Sequence, residues 1–162
     1  MPPEITHLTF GVSYNQPTNF PSTITHLTLG NYYNQSTHLP PSITHLKFGY
    51  DYDKPVILSP SITHLTFGWK YNQSTDLPDT ITHLTFGQHY NQPTRLPSYL
   101  ERFILGNVYN YEQYKEHLLN SQYIIYTNII HDIDITRRVG INIHNLDKIS
   151  IVLTKLCLSL IN

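Results

Sequence analysis

The amino-acid sequence predicts a β-solenoid, a fold in which successive turns of the chain stack into one parallel sheet. A seven-residue phrase, most often Ile-Thr-His-Leu-Thr-Phe-Gly, recurs every nineteen residues and begins at Ile5, Ile24, Ile43, Ile62 and Ile81. A sixth, diverged copy begins at Leu100. Because one copy is too short to bury its own apolar side, each copy must stack on its neighbours. We therefore expect residues 1–110 to form a solenoid of about six turns.

Alternation of apolar and polar residues within the phrase predicts a strand in each turn. In the second copy the apolar residues are Ile24, Leu27 and Leu29, and His26 and Thr28 lie between them. Side chains along a strand point alternately to the two faces of the sheet, so the leucines face inward while the histidine and threonine face outward.

The phrase closes on a glycine in every copy, at Gly11, Gly30, Gly49, Gly68, Gly87 and Gly106. Glycine is required either because a Cβ would clash with a neighbouring turn or because the backbone needs a positive φ. A tight turn follows, with Tyr-Asn-Gln-Pro or Tyr-Asn-Gln-Ser in four copies and Tyr52-Asp53-Lys54-Pro55 in the third. We expect the tyrosines inside the turn with their hydroxyls near its edge. The asparagines should bond loop amides of neighbouring turns, and Asp53 can supply half of that function.

Leu-Pro ends most copies, as at Leu39-Pro40, Leu77-Pro78 and Leu96-Pro97. Proline removes an amide donor and fixes φ, so we expect an extended return leg without a helix. This order of motifs resembles a short leucine-rich repeat. It is more similar still to the FNIP repeat, although Tyr replaces the signature Phe and the copies are shorter than usual.

The resemblance to the FNIP repeat covers residues 3 to about 110 and implies a right-handed solenoid that acts as an interaction module. Such repeats occur in giant amoebal viruses and social amoebae, some of them behind an F-box that docks a ubiquitin ligase. The first copy begins at Ile5, so we expect no F-box and carry over no ligase function.

Composition narrows the classes of function. The net charge is -1, and the lysines and arginines of the first hundred residues form no basic stripe, so we expect no nucleic-acid partner. Neither the N-terminus nor residues 149–161 has the pattern of a signal peptide or membrane span, and Cys157 is the lone cysteine. We expect an intracellular protein, in the host cytoplasm if it is viral, without membrane binding or cofactors.

A column of histidines occupies one place of the repeat, at His7, His26, His45, His64 and His83. Neighbouring strands are about 4.8 Å apart, whereas two nitrogens on one zinc are nearer 3 Å apart, and no acidic or cysteine column completes a tetrahedron. We therefore interpret the column as a duplicated surface residue and predict no metal site. Imidazoles at this spacing should titrate as a coupled array.

No enzyme motif is present: the sequence has no phosphate-binding glycine loop, no nucleophile elbow and no carboxylate that orients the histidines. The threonine columns that begin at Thr6 and Thr9 resemble the arrays of ice-binding solenoids. Lys47 interrupts the second column, so β-propensity is the preferred explanation. We predict that the protein is not an enzyme.

The copies differ most in the two residues after each glycine, and variable places can specify a partner while constant places build the scaffold. Trp and Tyr are the residue types most enriched at binding hot spots. We predict a partner-binding surface, with drift at unconstrained loop places as the alternative. It comprises Tyr32, Lys47, Tyr50, Asp51, Trp69, Lys70 and His89.

Residues 111–162 are predicted to form a small mixed C-terminal cap or a decayed extension. Helices are expected over residues 111–121 and 149–160, and strands within residues 123–130 and 133–143. We expect no equivalent cover before the first strand. Either its open edge is tolerated, it pairs edge-to-edge with another copy or chain, or the chain is the remnant of a longer array. The predicted function is a non-catalytic protein-interaction module that binds a protein partner through its sheet face and adjoining turns; the alternative is a structural or vestigial repeat protein without a dedicated partner.

Overall fold

A computed structural model describes residues 4–106 and 124–126 and contains one parallel sheet of seven short strands. Each strand pairs with the next in the chain, so the strand order in the sheet is the sequence order. The strands are β1 (His7–Thr9), β2 (His26–Thr28), β3 (His45–Lys47), β4 (His64–Thr66), β5 (His83–Phe86), β6 (Arg102–Leu105) and β7 (Ile124–Tyr126).

Pairing follows the repeat without slippage. His7 of β1 lies opposite His26 of β2, which lies opposite His45 of β3, and the same holds for the leucine that follows each histidine. The predicted solenoid of nineteen-residue turns is therefore confirmed. The strands cover only the middle of each phrase, because the chain is already turning at the leading isoleucine and at the closing glycine.

The core is a stack of equivalent side chains, one set from each turn. In the second copy Ile24, Leu27 and Leu29 are at most 2% exposed, whereas His26 and Thr28 are only partly buried. Phe48, Phe67 and Phe86 fill the place of Leu29 in later turns. The predicted inward and outward faces of the strand are thus confirmed.

The glycine column allows successive turns to approach each other closely. A Cβ built on Gly49 would lie 1.9 Å from the carbonyl oxygen of Gly30, and one on Gly68 would lie 1.7 Å from that of Gly49. None of these glycines has a φ in the left-handed region. Of the two explanations left open by the sequence, the clash with the preceding turn is therefore correct.

Asparagine side chains connect successive turns through a ladder of hydrogen bonds, in which each side-chain oxygen accepts from a backbone N–H of the next turn. The backbone N–H of Asn34 donates to the side-chain oxygen of Asn15 at 3.0 Å, and the N–H of Asp53 donates in the same way to Asn34 at 3.0 Å. Asp53 in turn accepts from the N–H of Asn72 at 3.0 Å. Two predictions are therefore confirmed: each asparagine side chain bonds a backbone amide of the neighbouring turn, and Asp53 takes the place of asparagine as the acceptor in the third copy.

The tyrosine column lies deeper than expected. Tyr33, Tyr52, Tyr71 and Tyr90 are fully buried, hydroxyls included, rather than reaching the edge of the turn. Stacked rings account for this depth, since Tyr71 packs on Phe67 with centroids 4.0 Å apart.

Beyond residue 106 only β7 is described, and it falls within the segment 123–130 that was predicted to be extended. The helices expected over residues 111–121 and 149–160, and the strand expected within residues 133–143, lie outside the described residues. In the part of the chain that is described, no helix is long and apolar enough to cross a membrane.

Candidate functional site

The variable residues after each glycine lie on an ordered second ladder beside the sheet. The N–H of Asp51 donates to the carbonyl of Asn31 at 2.8 Å, and the N–H of Lys70 donates to that of Tyr50 at 3.0 Å. His89 repeats the pattern with Trp69 at 3.0 Å. The side chains that differ between copies are therefore carried by a backbone that does not differ.

Tyr50 and Trp69 form an exposed aromatic pair on this ladder. Their rings are stacked, with centroids 5.7 Å apart and planes within 10°. Tyr50 is 45% exposed and Trp69 is 38% exposed, so the pair is held in place and still accessible to a partner. His89 continues the row with its ring tilted at 56° to Trp69 and 6.3 Å away.

An ion pair flanks the aromatic residues. Lys70 Nζ lies 2.8 Å from Asp51 Oδ1 and 5.8 Å from the centre of the Tyr50 ring. Its hydrogen bond to the Asp51 carboxylate raises the pKa of the Lys70 ammonium. The predicted residues Tyr50, Asp51, Trp69 and Lys70 are thus brought into one patch.

A groove of about 410 Å³ runs beside this patch along the glycine column. One side is lined by Thr28, Lys47, Thr66 and Thr85, which are the last outward-facing residues of their strands. The other side is lined by Val12, Asn31, Tyr50, Trp69 and Gln88, which follow the glycines. Two residues separate the two sets in each turn. One, such as Leu29, faces inward, and the other is a glycine, which has no side chain to fill the groove.

Lys47 borders the groove opposite the aromatic side. Tyr32 does not line the groove, although it is 55% exposed on the same backbone ladder. Thr28, Thr66 and Thr85 belong to the threonine column that Lys47 interrupts; β-propensity was the preferred explanation for that column, and these threonines were not predicted to line a binding surface. The signal that could have assigned them to it was the place they share with Lys47, which faces outward directly before an inward residue and a glycine.

The histidine column forms a continuous stack on the outer face of the sheet. Each ring lies 4.1 to 4.2 Å from the next between His7 and His83, with planes within 15°. Each Nδ1 is bonded to the hydroxyl of the preceding threonine, as in the 2.9 Å contact between Thr44 and His45. The rings of His26, His45 and His64 each lie between two other imidazoles, so these side chains contact one another rather than standing apart on the surface.

Burial lowers the pKa values of His26, His45 and His64, and the charges of neighbouring imidazoles lower them further. Glu101 partly offsets this effect at His64. The neutral forms are therefore favoured in the stack. Among the described residues, no three side chains of His, Cys, Asp or Glu are grouped to hold a metal ion.

Comparison with known proteins agrees with this geometry. The family profile described as FNIP Repeat matches residues 1–32, 33–58, 54–89 and 71–108. No curated protein matches the chain. Among solved structures, the chain is similar to CroV588, a giant-virus protein described as a novel circular LRR protein structure, with 31% identity and a TM-score of 0.61.

That similarity covers 76% of this chain but only 24% of CroV588, so the chain spans about a quarter of its structural relative. The repeats and the leucine-rich-repeat-like solenoid that they form place the chain in a class of repeat scaffolds. With family matches running from residue 1 to residue 108, the chain belongs to the FNIP repeat family.

Proposed function

We propose that the chain is a non-catalytic interaction module that binds a protein partner along the glycine groove, with Tyr50 and Trp69 as the main contacts. The observation that carries this proposal is the stacked, half-exposed aromatic pair at the edge of the groove. Large aromatic side chains contribute most when a partner covers them and excludes water. The groove supplies the adjacent concave surface for such a partner.

Position distinguishes this pair from Ile57 and Tyr99, whereas Val12, which is also exposed, lines the same groove. Ile57 is 91% exposed and Tyr99 is 77% exposed, yet neither lines the groove. Scattered apolar residues are normal on protein surfaces, whereas a cluster beside a groove indicates a binding site.

Rigid presentation favours binding as well. The ladder bonds at Lys70 and His89 fix the backbone on which the aromatic residues stand. Side chains that are already ordered lose less conformational entropy when a partner binds. Lys70 and Asp51 add charges of both signs beside the apolar contact, which suits a partner surface with mixed charge.

The competing function is that of a structural or vestigial repeat protein without a dedicated partner. Under that hypothesis the variation after each glycine is drift, and removal of the exposed rings changes no binding. The two hypotheses differ in a single measurable property, namely the dependence of binding on Tyr50 and Trp69.

The experiment is affinity capture from amoebal lysate with quantitative mass spectrometry, using the full chain. Wild type is compared with the double variant Tyr50→Ala, Trp69→Ala and with the matched control Ile57→Ala, Tyr99→Ala, which removes exposed apolar surface away from the groove. Circular dichroism checks that each variant is folded.

A prey that is enriched on wild type and on the control but lost from the groove variant supports the proposal. A prey that all three proteins retain places the contact elsewhere and contradicts the site. Recovery of the same background by all three proteins supports the structural or vestigial alternative.

A further inference from the structure

Among the described residues that line the glycine groove, Lys47 is the one that carries a charge. It is exposed, and it lies in the same turn as Tyr50 on the opposite wall of the groove. The two ion pairs that the described residues form involve Lys70 and Arg95, and neither includes Lys47. The groove therefore has a positive charge that no carboxylate in the described part of the chain balances.

The sheet face around Lys47 has no negative charge either. Across β1 to β5 the outward-facing residues are histidines and threonines, apart from Lys47 itself. Thr28 and Thr66 are its register neighbours, about 4.8 Å away on the strands to either side. These three residues also border a second depression of about 180 Å³, which three members of the histidine column line as well. Lys47 is thus surrounded by neutral polar groups and by open surface.

The hydroxyls beside Lys47 are available for binding, unlike those of the other threonine column. Thr44 Oγ1 lies 3.2 Å from the carbonyl oxygen of Thr25 and 2.9 Å from His45 Nδ1, and later turns repeat both contacts. Among the described residues, the hydroxyls of Thr28 and Thr66 form no such bond. Because a hydroxyl can donate one hydrogen bond, either threonine can supply a second donor to an anion held by Lys47.

We propose that the groove binds a segment of a protein partner that carries an Asp or Glu carboxylate, with the carboxylate bonded to Lys47. This inference rests on the proposed function, since it assigns the chemistry of the occupant of the same groove. A partner that covers Tyr50 and Trp69 also removes water from Lys47 in the opposite wall. Covering an unpaired ammonium costs free energy unless an opposite charge compensates it, and a carboxylate does so.

A single cation matches one carboxylate better than it matches a polyanion. Nucleic acid is held by several lysines and arginines that neutralise successive phosphates, whereas the other residues that line the groove are uncharged. The stacked rings of Tyr50 and Trp69 supply an apolar contact across from the charge. The complementary segment therefore has an acidic residue close to a large apolar one.

Two substitutions in the third copy test this charge, because each removes one lysine and restores the residue of other copies. Lys47→Thr does so in the groove, where the second copy has Thr28. Lys54→Gln is the matched control away from the groove, where the second copy has Gln35. Both variants should keep the fold, and circular dichroism with thermal melting checks this. The pair separates the position of the charge from the net charge of the chain.

The probe is a phage-displayed library of random ten-residue peptides, selected separately on the full-length wild type and on each variant. Wild type and Lys54→Gln should enrich peptides with Asp or Glu near a large apolar residue, whereas Lys47→Thr should lose the preference for acidic residues. In fluorescence anisotropy, a selected acidic peptide should bind Lys47→Thr about five-fold more weakly than wild type. The charge reversal Lys47→Glu should weaken it further, and added salt should weaken binding to wild type.

The outcomes separate this inference from the proposed function. A library that yields no peptide, no preference for acidic residues on wild type, or an equal preference on Lys47→Thr would each overturn the inference. Selected peptides that require Tyr50 and Trp69 but not Lys47 would overturn it and leave the proposed function intact. A captured protein that binds without Tyr50 and Trp69 contradicts the proposed function itself. Lys47-dependent binding of a fluorescein-labelled DNA strand would contradict the assignment of a protein segment as the occupant.

Discussion

Among single residues, Val56 has an effect that extends over two turns. Elsewhere a threonine lies four residues after the tyrosine, and Tyr14 bonds Thr18 in this way at 2.7 Å. Val56 occupies that place in the third copy, and Tyr52 bonds Thr37 of the preceding turn at 2.8 Å instead. Thr37 does not bond Tyr33, whose buried hydroxyl has no partner among the described residues.

The unpaired hydroxyl leads to a prediction about two conservative substitutions. Tyr33→Phe should leave the free energy of unfolding unchanged or raise it by up to about 1 kcal/mol, because it removes a buried polar group without a partner. Tyr71→Phe should lower it by about 1 kcal/mol, because the Tyr71 hydroxyl is bonded to Thr75. Urea denaturation of the two variants measures both changes. Equal destabilisation by the two substitutions would contradict the conclusion that the Tyr33 hydroxyl is unpaired whereas the Tyr71 hydroxyl is bonded.

A second prediction at this scale concerns the glycine column. Gly49→Ala should destabilise the fold by about 3 kcal/mol or more, because its Cβ would lie 1.9 Å from the Gly30 carbonyl oxygen. Gly11→Ala is the matched control, since no atom lies within 4 Å of its added Cβ. Thermal melting should therefore separate the two variants clearly, and similar melting temperatures would show that the turns can move apart at little cost.

Residue-scale features differ in how far the sequence predicts them. Asn15 and Asn34 recur at a fixed place in a turn, and that recurrence was enough to predict the ladder. The change of partner at Tyr52 was not predictable in the same way, because the sequence shows that Val56 replaces the usual threonine but not that the Tyr52 hydroxyl reaches Thr37 of the preceding turn. For the glycines, spacing alone did not distinguish a positive φ from a clash, and the observed distances do.

At the scale of the elements, the histidine column on the outer face of the sheet should make the stability of the fold depend on pH. Burial and neighbouring imidazoles lower the folded-state pKa values of His26, His45 and His64 below about 6.5, the ordinary value for histidine. The unfolded chain therefore binds protons at a higher pH than the folded chain does. Stability from these groups is complete above pH 6.5 and is lost as the pH falls through that value towards the lowered pKa values.

We accordingly expect the melting temperature to fall between pH 8 and pH 5, and calorimetry at several pH values measures the change. Replacement of His26, His45 and His64 by glutamine should reduce this dependence, because glutamine does not titrate. A melting temperature that is the same at pH 5 and pH 8 would contradict the coupled stack.

Strands were predicted more completely than the surface they support. Alternation in the second copy sufficed to predict which side chains are buried, since a reversal would expose Leu27 and Leu29. The ring stack was not predicted as a structural feature, because its geometry depends on the threonine bond that orients each imidazole, as at Thr44 and His45. The short strand bounds also follow from tertiary packing, because the turns at both ends are fixed by neighbouring copies.

For the whole molecule, the constant places and the variable places of the repeat occupy different parts of the structure. The constant places stack into ladders of backbone, histidine, asparagine and aromatic groups that hold the turns in register. The variable places lie together beside the groove, where Tyr50, Trp69 and Lys70 meet. Of the residues predicted from the variation between copies, Lys47, Tyr50 and Trp69 line the groove, and their role in binding stays a prediction. The groove itself was not predicted, because it depends on distances between turns rather than on sequence.

The same division explains why the fold was more predictable than the partner. Every copy repeats the residues that specify the turn, so the same structural pattern can be read independently in each copy. The sequence has one tryptophan, Trp69, and a single exposed side chain does not show which partner it would contact. The family relationship names a class of scaffold and leaves the partner to be measured.

Fluorine NMR of the chain labelled with 5-fluorotryptophan tests the central claim most directly, because Trp69 is the sole tryptophan and gives one resonance from the edge of the groove. The captured partner is added without label and is therefore invisible. We predict that the Trp69 resonance shifts or broadens in proportion to the partner bound. A partner that binds by an independent measurement while the resonance stays unchanged would contradict the glycine groove as the interaction surface.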